Sequence, residues 1–311
     1  MPRPVIIVVY GFSKSGKTVD ALFSFPEAAF FLPVEGGLSP WTAFTGIEPK
    51  YQVVQTLDDV TVMITQLPAG LGAGRFLVMD DFTILAEQSL TAYMRGGLKG
   101  KQLWGALLWA VYRFRDAATS KGISLVLNCH EREPGSDDTG FVKGLPRMPS
   151  KNMSTALPHI ASLVLRTSTD MNIPKPLWNG AYLCDSRDRT YLTGDRFGVL
   201  GTKTPMNLRE ILRLAGESND VAVPARPESV QWIAPYVEEL AQSLMSIPQA
   251  SHEQVAQKLV AAFPDVDPRH LRWMHRDGFA RAHLRKNTML AAYLPQGAMA
   301  MNGTAKATPF S

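Results

Sequence analysis

An α/β fold is what the sequence predicts: a mostly parallel sheet covered by helices on both faces, followed by a smaller helical region. Three observations predict it. Short apolar runs alternate with helix-patterned segments from residue 1 to about 130. The first run, Val5–Tyr10, enters a loop at Gly11–Thr18 with the spacing G-x-x-x-x-G-K-[ST], and a helix pattern follows. Beyond about residue 225 the apolar residues recur at helical spacing.

Taken in order, the elements are these. Val5–Tyr10 is a buried strand, and the helix begins near Lys17. Ala28–Leu32 is a second buried strand, ending at Pro33-Val34-Glu35-Gly36-Gly37. Tyr51–Gln55 is a third strand, and a helix covers roughly Leu57–Leu67. Pro68–Gly74 is a glycine-rich turn before the apolar run Phe76–Met79, which closes on Asp80-Asp81. Two helices follow, near Thr83–Met94 and Gln102–Ser120; Trp104, Leu107, Leu108 and Val111 carry the helical spacing of the second. Ile123–Asn128 is another buried strand, ending at Cys129-His130-Glu131. Glu133–Ser150 is polar and broken by Gly and Pro, so a long mobile loop is expected. Ala161–Leu165 is a further strand, Trp178–Cys184 and Arg189–Thr193 are expected to pair as a hairpin, and Asn207–Leu214 is a short helix.

This divides the chain into a core over 1–216, a Pro/Ser/Asp-rich linker over 217–227, a helical region over 228–294, and a tail over 295–311 expected to be disordered or partner-bound. In the helical region, Val230, Ile233, Val237, Leu240 and Leu244 form an amphipathic stripe. Ser251-His252-Glu253-Gln254 resembles a capping box, and Asp267-Pro268 suits a helix start.

Composition bounds the function. Of 311 residues, 45% are hydrophobic and 19% charged, which fits a globular protein with a substantial core. A net charge of +4 is compatible with a polyanionic partner without requiring one. Cys129 and Cys184 are the only cysteines, which argues against a disulfide framework and for a reducing compartment. Val5–Tyr10 is too short for the apolar part of a secretion signal, so no leader is expected. No uncharged apolar stretch reaches membrane-spanning length, and a cytoplasmic location is expected.

The chemistry concentrates at the C-terminal ends of the predicted strands, where open α/β sheets place ligands. Gly11 and Gly16 let the backbone fold tightly enough for successive N–H groups to face one phosphate. The helix start adds its positive end. Phe12, Ser13, Lys14, Ser15 and Val19 complete the candidate phosphate-binding stretch. Lys17 can reach the β/γ-phosphates of a bound nucleotide as a point charge, and the Thr18 hydroxyl can ligate Mg²⁺. Lys14 reads either as a second cation for the phosphates or as a solvated lysine. Asp80 is expected on the metal side opposite Thr18, with Asp81 either as the cap of the next helix or as support behind the metal ligands. Glu35 reads either as the carboxylate that activates water or as a solvated acid. His130 is suited to sensing the γ-phosphate and relaying its state to the loop after it. No second Cys or His lies within zinc-finger spacing of it, and adjacent Cys129 and His130 point to opposite faces of a strand, which argues against a nucleophile pair.

Four blocks in order resemble the RecA-like ATPases, specifically the compact bacteriophage type linked to recombination and single-strand annealing. They are Gly11–Thr18, Val34–Gly37, Phe76–Asp80 and Leu127–Glu131; a fifth, Gly194–Gly198 with Pro205 and Asn207–Leu212, is similar to that group's basic segment and closing helix. The resemblance covers roughly residues 1–216. It implies ATP and Mg²⁺ as cofactors, Glu35 as the catalytic carboxylate, His130 as the sensor, and Arg196 as a cation supplied across a subunit interface. It also implies single-stranded DNA as partner, contacted through Lys143, Arg147 and Lys151, and a homo-oligomer, ring or filament, with a single-strand-binding or replication/recombination protein as a further partner. A host's cytoplasm would be the location for a phage-encoded chain. Two departures stand out: Gly194 replaces a common lysine, for which Lys203 could substitute, and the sensor is His rather than Gln. The segment from about 225 is not covered. There Arg269, Arg272 and Arg276 flank Trp273, either as a nucleic-acid face or as a solvated helix face. Two other classes remain open from the residues: a P-loop kinase acting on a small molecule, and a non-catalytic nucleotide-binding assembly protein.

Overall fold

The computed structural model describes residues 4–25, 28–34, 38, 51–68, 75–137, 140–169, 180–215 and 261. The expected linker, helical region and tail lie outside the described residues, apart from residue 261.

Strand β1 (Ile6–Gly11) is buried along its whole length, as a central strand covered on both faces must be. It leads through the glycine loop into helix α1 (Lys17–Ser24). Strands β2 (Ala29–Leu32) and β3 (Tyr51–Val53) follow, then helix α2 (Leu57–Gln66). A capping box between Thr56 and Asp59 starts α2. Strand β4 (Phe76–Asp80) runs into helix α3 (Phe82–Arg95), whose N-cap is Asp81. Helix α4 (Gly100–Ser120) returns the chain to strand β5 (Ser124–Arg132). Short strands β6 (Gly135–Asp137), β7 (Gly140–Val142) and β8 (Leu145–Pro146) precede helix α5 (Lys151–Ile160) and strand β9 (Leu163–Thr169). Strands β10 (Gly180–Leu183), β11 (Gly194–Asp195) and β12 (Lys203–Pro205) end at helix α6 (Leu208–Leu214).

The main sheet has the order β12-β10-β9-β1-β5-β4-β2-β3. The six strands from β9 to β3 in that order are parallel, and β10 and β12 are antiparallel additions at one edge. The predicted α/β class, with a mostly parallel sheet flanked by helices, is the one observed. Alternation along β1 builds both layers. Ile6, Val8 and Tyr10 pack with Leu57, Val60, Phe82, Leu85, Leu107 and Phe114 from α2, α3 and α4. Val5, Ile7 and Val9 pack with Ala21 and Leu22 of α1 and Leu208, Ile211 and Leu212 of α6. Among the described residues, no helix is long and apolar enough to cross a membrane.

Two expectations are corrected. The segment 133–150 is not a long loop. β5 runs on to Arg132, β6 and β7 form an antiparallel hairpin, and β8 pairs with the end of β5. Backbone hydrogen bonds carry this structure, and they leave no apolar periodicity in a polar sequence. The 178–184 and 189–193 runs do not pair with each other. β10 pairs instead with β9 and β12, and Tyr191 makes only an isolated bridge with Gly144.

Candidate nucleotide site

The loop between β1 and α1 is shaped by three residues with positive φ: Gly11 (155°), Lys14 (63°) and Gly16 (93°). At the two glycines no Cβ opposes this conformation; at Lys14 one does, and a non-glycine in this region is the kind of local strain that persists at functional sites. Gly16 occupies the N-cap position of α1, and no side chain caps the helix. The first-turn amides therefore face the loop interior uncapped, which is the arrangement that binds anions.

Lys17 is only 8% exposed. Its ammonium donates to the carbonyls of Gly11 (3.0 Å) and Phe12 (2.9 Å), so it is folded over the loop it belongs to. Burial lowers its pKa, against the charges of Asp81 and Asp80. The Thr18 hydroxyl donates to Asp80 Oδ2 at 2.7 Å, and the Asn128 amide donates to Asp80 Oδ1 at 3.1 Å. Burial pushes the Asp80 carboxyl up, while these two donors and Lys17 pull it back. Asp80 and Asn128 are register partners on adjacent strands, so the sheet itself aligns them.

A hydroxyl and a carboxylate 2.7 Å apart are hard oxygen donors of the kind Mg²⁺ takes alongside phosphate oxygens and water. Among the described residues no group of three or more His, Cys, Asp and Glu could hold a metal; a Mg²⁺ shared with a triphosphate does not require one.

Asp80 and Asp81 are joined by a cis peptide bond. Asp81 Oδ1 accepts from the amides of Thr83 (2.6 Å) and Ile84 (3.3 Å), capping α3, while Oδ2 lies 2.9 Å from His130 Nε2. Burial raises the Asp81 carboxyl and the neighbouring His130 opposes it. His130 is opposite Gly11 in the sheet register. Its amide donates to Thr83 Oγ1 (2.9 Å), Thr83 donates to the Arg147 carbonyl (2.9 Å), and the Arg147 amide donates to the His130 carbonyl (2.8 Å). This ring ties the end of β4, the start of α3, β5 and the residue after β8 into one unit.

The remaining predicted residues are placed as follows. Phe12, Ser13 and Lys14 are exposed on the loop, Ser15 is buried, and Val19 is half-buried on α1. Glu35 lies outside the described residues. Lys143 donates to the Asp188 carbonyl, and Arg147 pairs with Glu87 at 3.1 Å with both side chains exposed. Lys151 is exposed at the start of α5. Arg196 is not at the loop of its own chain. It donates to the carbonyls of Ser162 and His159. Its neighbour Asp195 pairs with Leu163, which sits beside Ile7, about 13 Å down the sheet from Gly11 at roughly 3.3 Å per residue. Lys203 is exposed on the edge strand β12.

The residue pattern gave no sign of a second cluster beside the loop. The Arg166 guanidinium is held by both Glu131 oxygens (2.9 and 3.1 Å), with side-chain exposures of 11% and 1%. It lies 3.7 Å from the Tyr191 ring centroid and 5.9 Å from that of Phe12. An arginine and a glutamate in separate strands, 35 residues apart, leave no local signal. The one hint is that Glu131 and Arg166 each follow a buried apolar run.

No protein-family model matches this chain, and no curated protein matches it in sequence. Solved structures with a similar arrangement include a KaiC-like protein from the hyperthermophilic archaeon Pyrococcus horikoshii OT3, 14% identical, with a TM-score of 0.38, covering 66% of this chain and 86% of that one. Another is the RadB recombinase, 16% identical, with a TM-score of 0.40, covering 67% of this chain and 90% of that one. The fold class rests on the sheet order and the parallel register.

Proposed function

We propose that this chain is a RecA-like ATPase that binds ATP with Mg²⁺ and works on single-stranded DNA as a homo-oligomer, in recombination, annealing or replication of the phage type. The observation that carries the nucleotide half is the 2.7 Å contact between Thr18 and Asp80, directly below a glycine loop whose helix N-terminus is uncapped.

In this reading the uncapped amides of α1 and the loop bind the β-phosphate. Lys17 exchanges its two carbonyl partners for phosphate oxygens, the same change that turns a self-satisfied loop into an occupied one. Thr18 and Asp80 would hold Mg²⁺, which would supply neutralising charge to the phosphates. Asn128 holds Asp80 in place from the next strand. Glu35 orients the attacking water. Arg196, or Lys203, serves a neighbouring subunit's phosphates; the sheet position of Arg196, away from the loop of its own chain, supports a role across an interface. His130, fixed by Asp81 and joined through its backbone to Arg147, passes the state of the γ-phosphate toward the β6–β7 hairpin, where Phe141 is exposed. Hairpin and flanking cations (Lys143, Arg147 and Lys151) meet the DNA, and hydrolysis releases it.

The test is ATP turnover with and without Mg²⁺ and single-stranded DNA across a salt series. The proposal expects Mg²⁺-dependent hydrolysis, stimulated by DNA, with stimulation that falls as salt rises. Turnover indifferent to DNA refutes the DNA role, and phosphate transfer to a nucleoside or nucleotide acceptor would replace the reading with a kinase. Absence of ATP binding in the presence of Mg²⁺ refutes it entirely.

A further inference from the structure

We infer that Thr167, on β9 and outside every recognised phosphate-binding residue, is a positioning residue for the triphosphate, acting through Ser15. The inference rests on the nucleotide site proposed above. Thr167 is 2% exposed and Ser15 7%, and their hydroxyl oxygens are 2.7 Å apart. Thr167 Oγ1 is also 3.4 Å from the Tyr10 carbonyl, at the end of β1. The contact with the loop is close on a second side. A Cβ added at Gly11 would lie 1.9 Å from Thr167 Oγ1. The first glycine of the loop is therefore required by β9 as well as by any phosphate.

Two acceptors lie within reach of the Thr167 hydroxyl, and Ser15 Oγ at 2.7 Å is the nearer, against 3.4 Å to the Tyr10 carbonyl. A threonine hydroxyl has one proton and a serine hydroxyl has one. Thr167 donates across the 2.7 Å contact to Ser15 Oγ. The Ser15 proton is then free, and among the described residues Ser15 has no other hydroxyl partner. A loop serine whose oxygen is already satisfied from behind turns its own proton toward an acceptor in front, and the loop exists to present donors to a phosphate. Thr167 thus sets the Ser15 rotamer before the anion arrives. Separation in sequence, 152 residues, is why no spacing pattern reveals it.

The experiment compares Thr167→Val, Thr167→Ser, Ser15→Ala and the Ser15→Ala/Thr167→Val double variant of the full chain. Equilibrium binding of a fluorescent ATP analogue with Mg²⁺ and nucleotide-free melting are measured for each. Losing one net hydrogen bond to the anion makes Thr167→Val bind about five- to tenfold more weakly. Thr167→Ser restores near-wild-type affinity, because the hydroxyl returns. Ser15→Ala loses a similar factor, and the double variant loses no more than either single, because both remove one interaction. Wild-type affinity in Thr167→Val overturns the inference. So does a double variant whose loss is the product of the two singles, or a Thr167→Val loss that Thr167→Ser fails to restore. A wild-type chain that does not bind the analogue sinks the nucleotide reading first. Wild-type binding with an unaffected Thr167→Val sinks only the role of Thr167.

Discussion

Replacing Asp80 in two ways separates its structural part from its proposed catalytic part. In Asp80→Ala the Asn128 amide loses its acceptor. Asn128 is fully buried, and its own Oδ1 already has no partner among the described residues. Leaving a buried donor unpaired costs about 1–3 kcal/mol. Each kcal/mol moves the melting midpoint of a domain this size by about 2–4 °C, so a fall of about 4–8 °C is expected for a mid-range cost. In Asp80→Asn the new carbonyl still accepts from Asn128, and the new NH₂ donates to Thr18, whose hydroxyl turns to suit. No hydrogen bond is lost and a buried charge is removed. Nucleotide-free melting at neutral pH therefore stays level or rises. Both variants lose the carboxylate proposed to face Mg²⁺, and ATP turnover is expected to fall about 100-fold or more, roughly 2.7 kcal/mol of transition-state stabilisation. A pH series adds a second check. Burial raises the native Asp80 carboxyl above 3.8, so its contribution favours the fold at low pH and is lost as pH rises from 3.8 through the raised native value. Asp80→Asn should flatten that loss. Differential scanning fluorimetry without nucleotide, paired with phosphate release with Mg²⁺, reads all of this. The reasoning fails if Asp80→Asn melts as low as Asp80→Ala, or if Asp80→Asn turns over ATP at the wild-type rate.

Three further outcomes follow from the geometry. Glu131→Gln leaves the Arg166 guanidinium, 11% exposed, without its countercharge; breaking one side of a buried pair costs about 3–5 kcal/mol, read as a shift in the urea midpoint, and a change within error would show that Tyr191 and Phe12 alone hold the arginine. His130→Ala should leave ATP affinity intact while removing DNA stimulation, because Asp81 still caps α3 through its other oxygen; equal stimulation in variant and wild type contradicts the relay. Gly11→Ala places a Cβ 1.9 Å from Thr167 Oγ1 at φ 155°, and strain plus overpacking cost about 2–4 kcal/mol, so nucleotide binding is lost together with several degrees of melting temperature; a variant that binds ATP normally would mean the loop seat is looser than its contacts indicate.

Features built from residues close together in the chain are legible in the sequence. The spacing from Gly11 to Thr18 encodes the loop, because a tight turn between strand and helix is a local event. The apolar runs encode the six parallel strands, and the end of the Phe76–Met79 run places Asp80 at the C-terminal edge of the sheet. The structure adds that Thr18 and Asp80 meet, and that Asp81 caps α3 while facing His130. The segment 133–150 reads as a loop because antiparallel pairing between backbones needs no particular side chains. Gly and Pro mark turns inside a hairpin as readily as they mark an open loop.

What the amino-acid order determined by itself was the class of fold, the loop and the edge of the sheet where ligands would gather. Each of these depends on hydrophobic period, chain direction or glycine freedom over a few adjacent residues. Only the tertiary structure decided which distant side chains stand behind the loop: Thr167 against Gly11 and Ser15, Asn128 against Asp80, and Glu131 with Arg166 beneath Phe12. It also decided that Arg196 lies away from the glycine loop of its own chain. Strand order and register bring these groups together, and both arise from packing two faces of a sheet at once, which no short window of sequence contains.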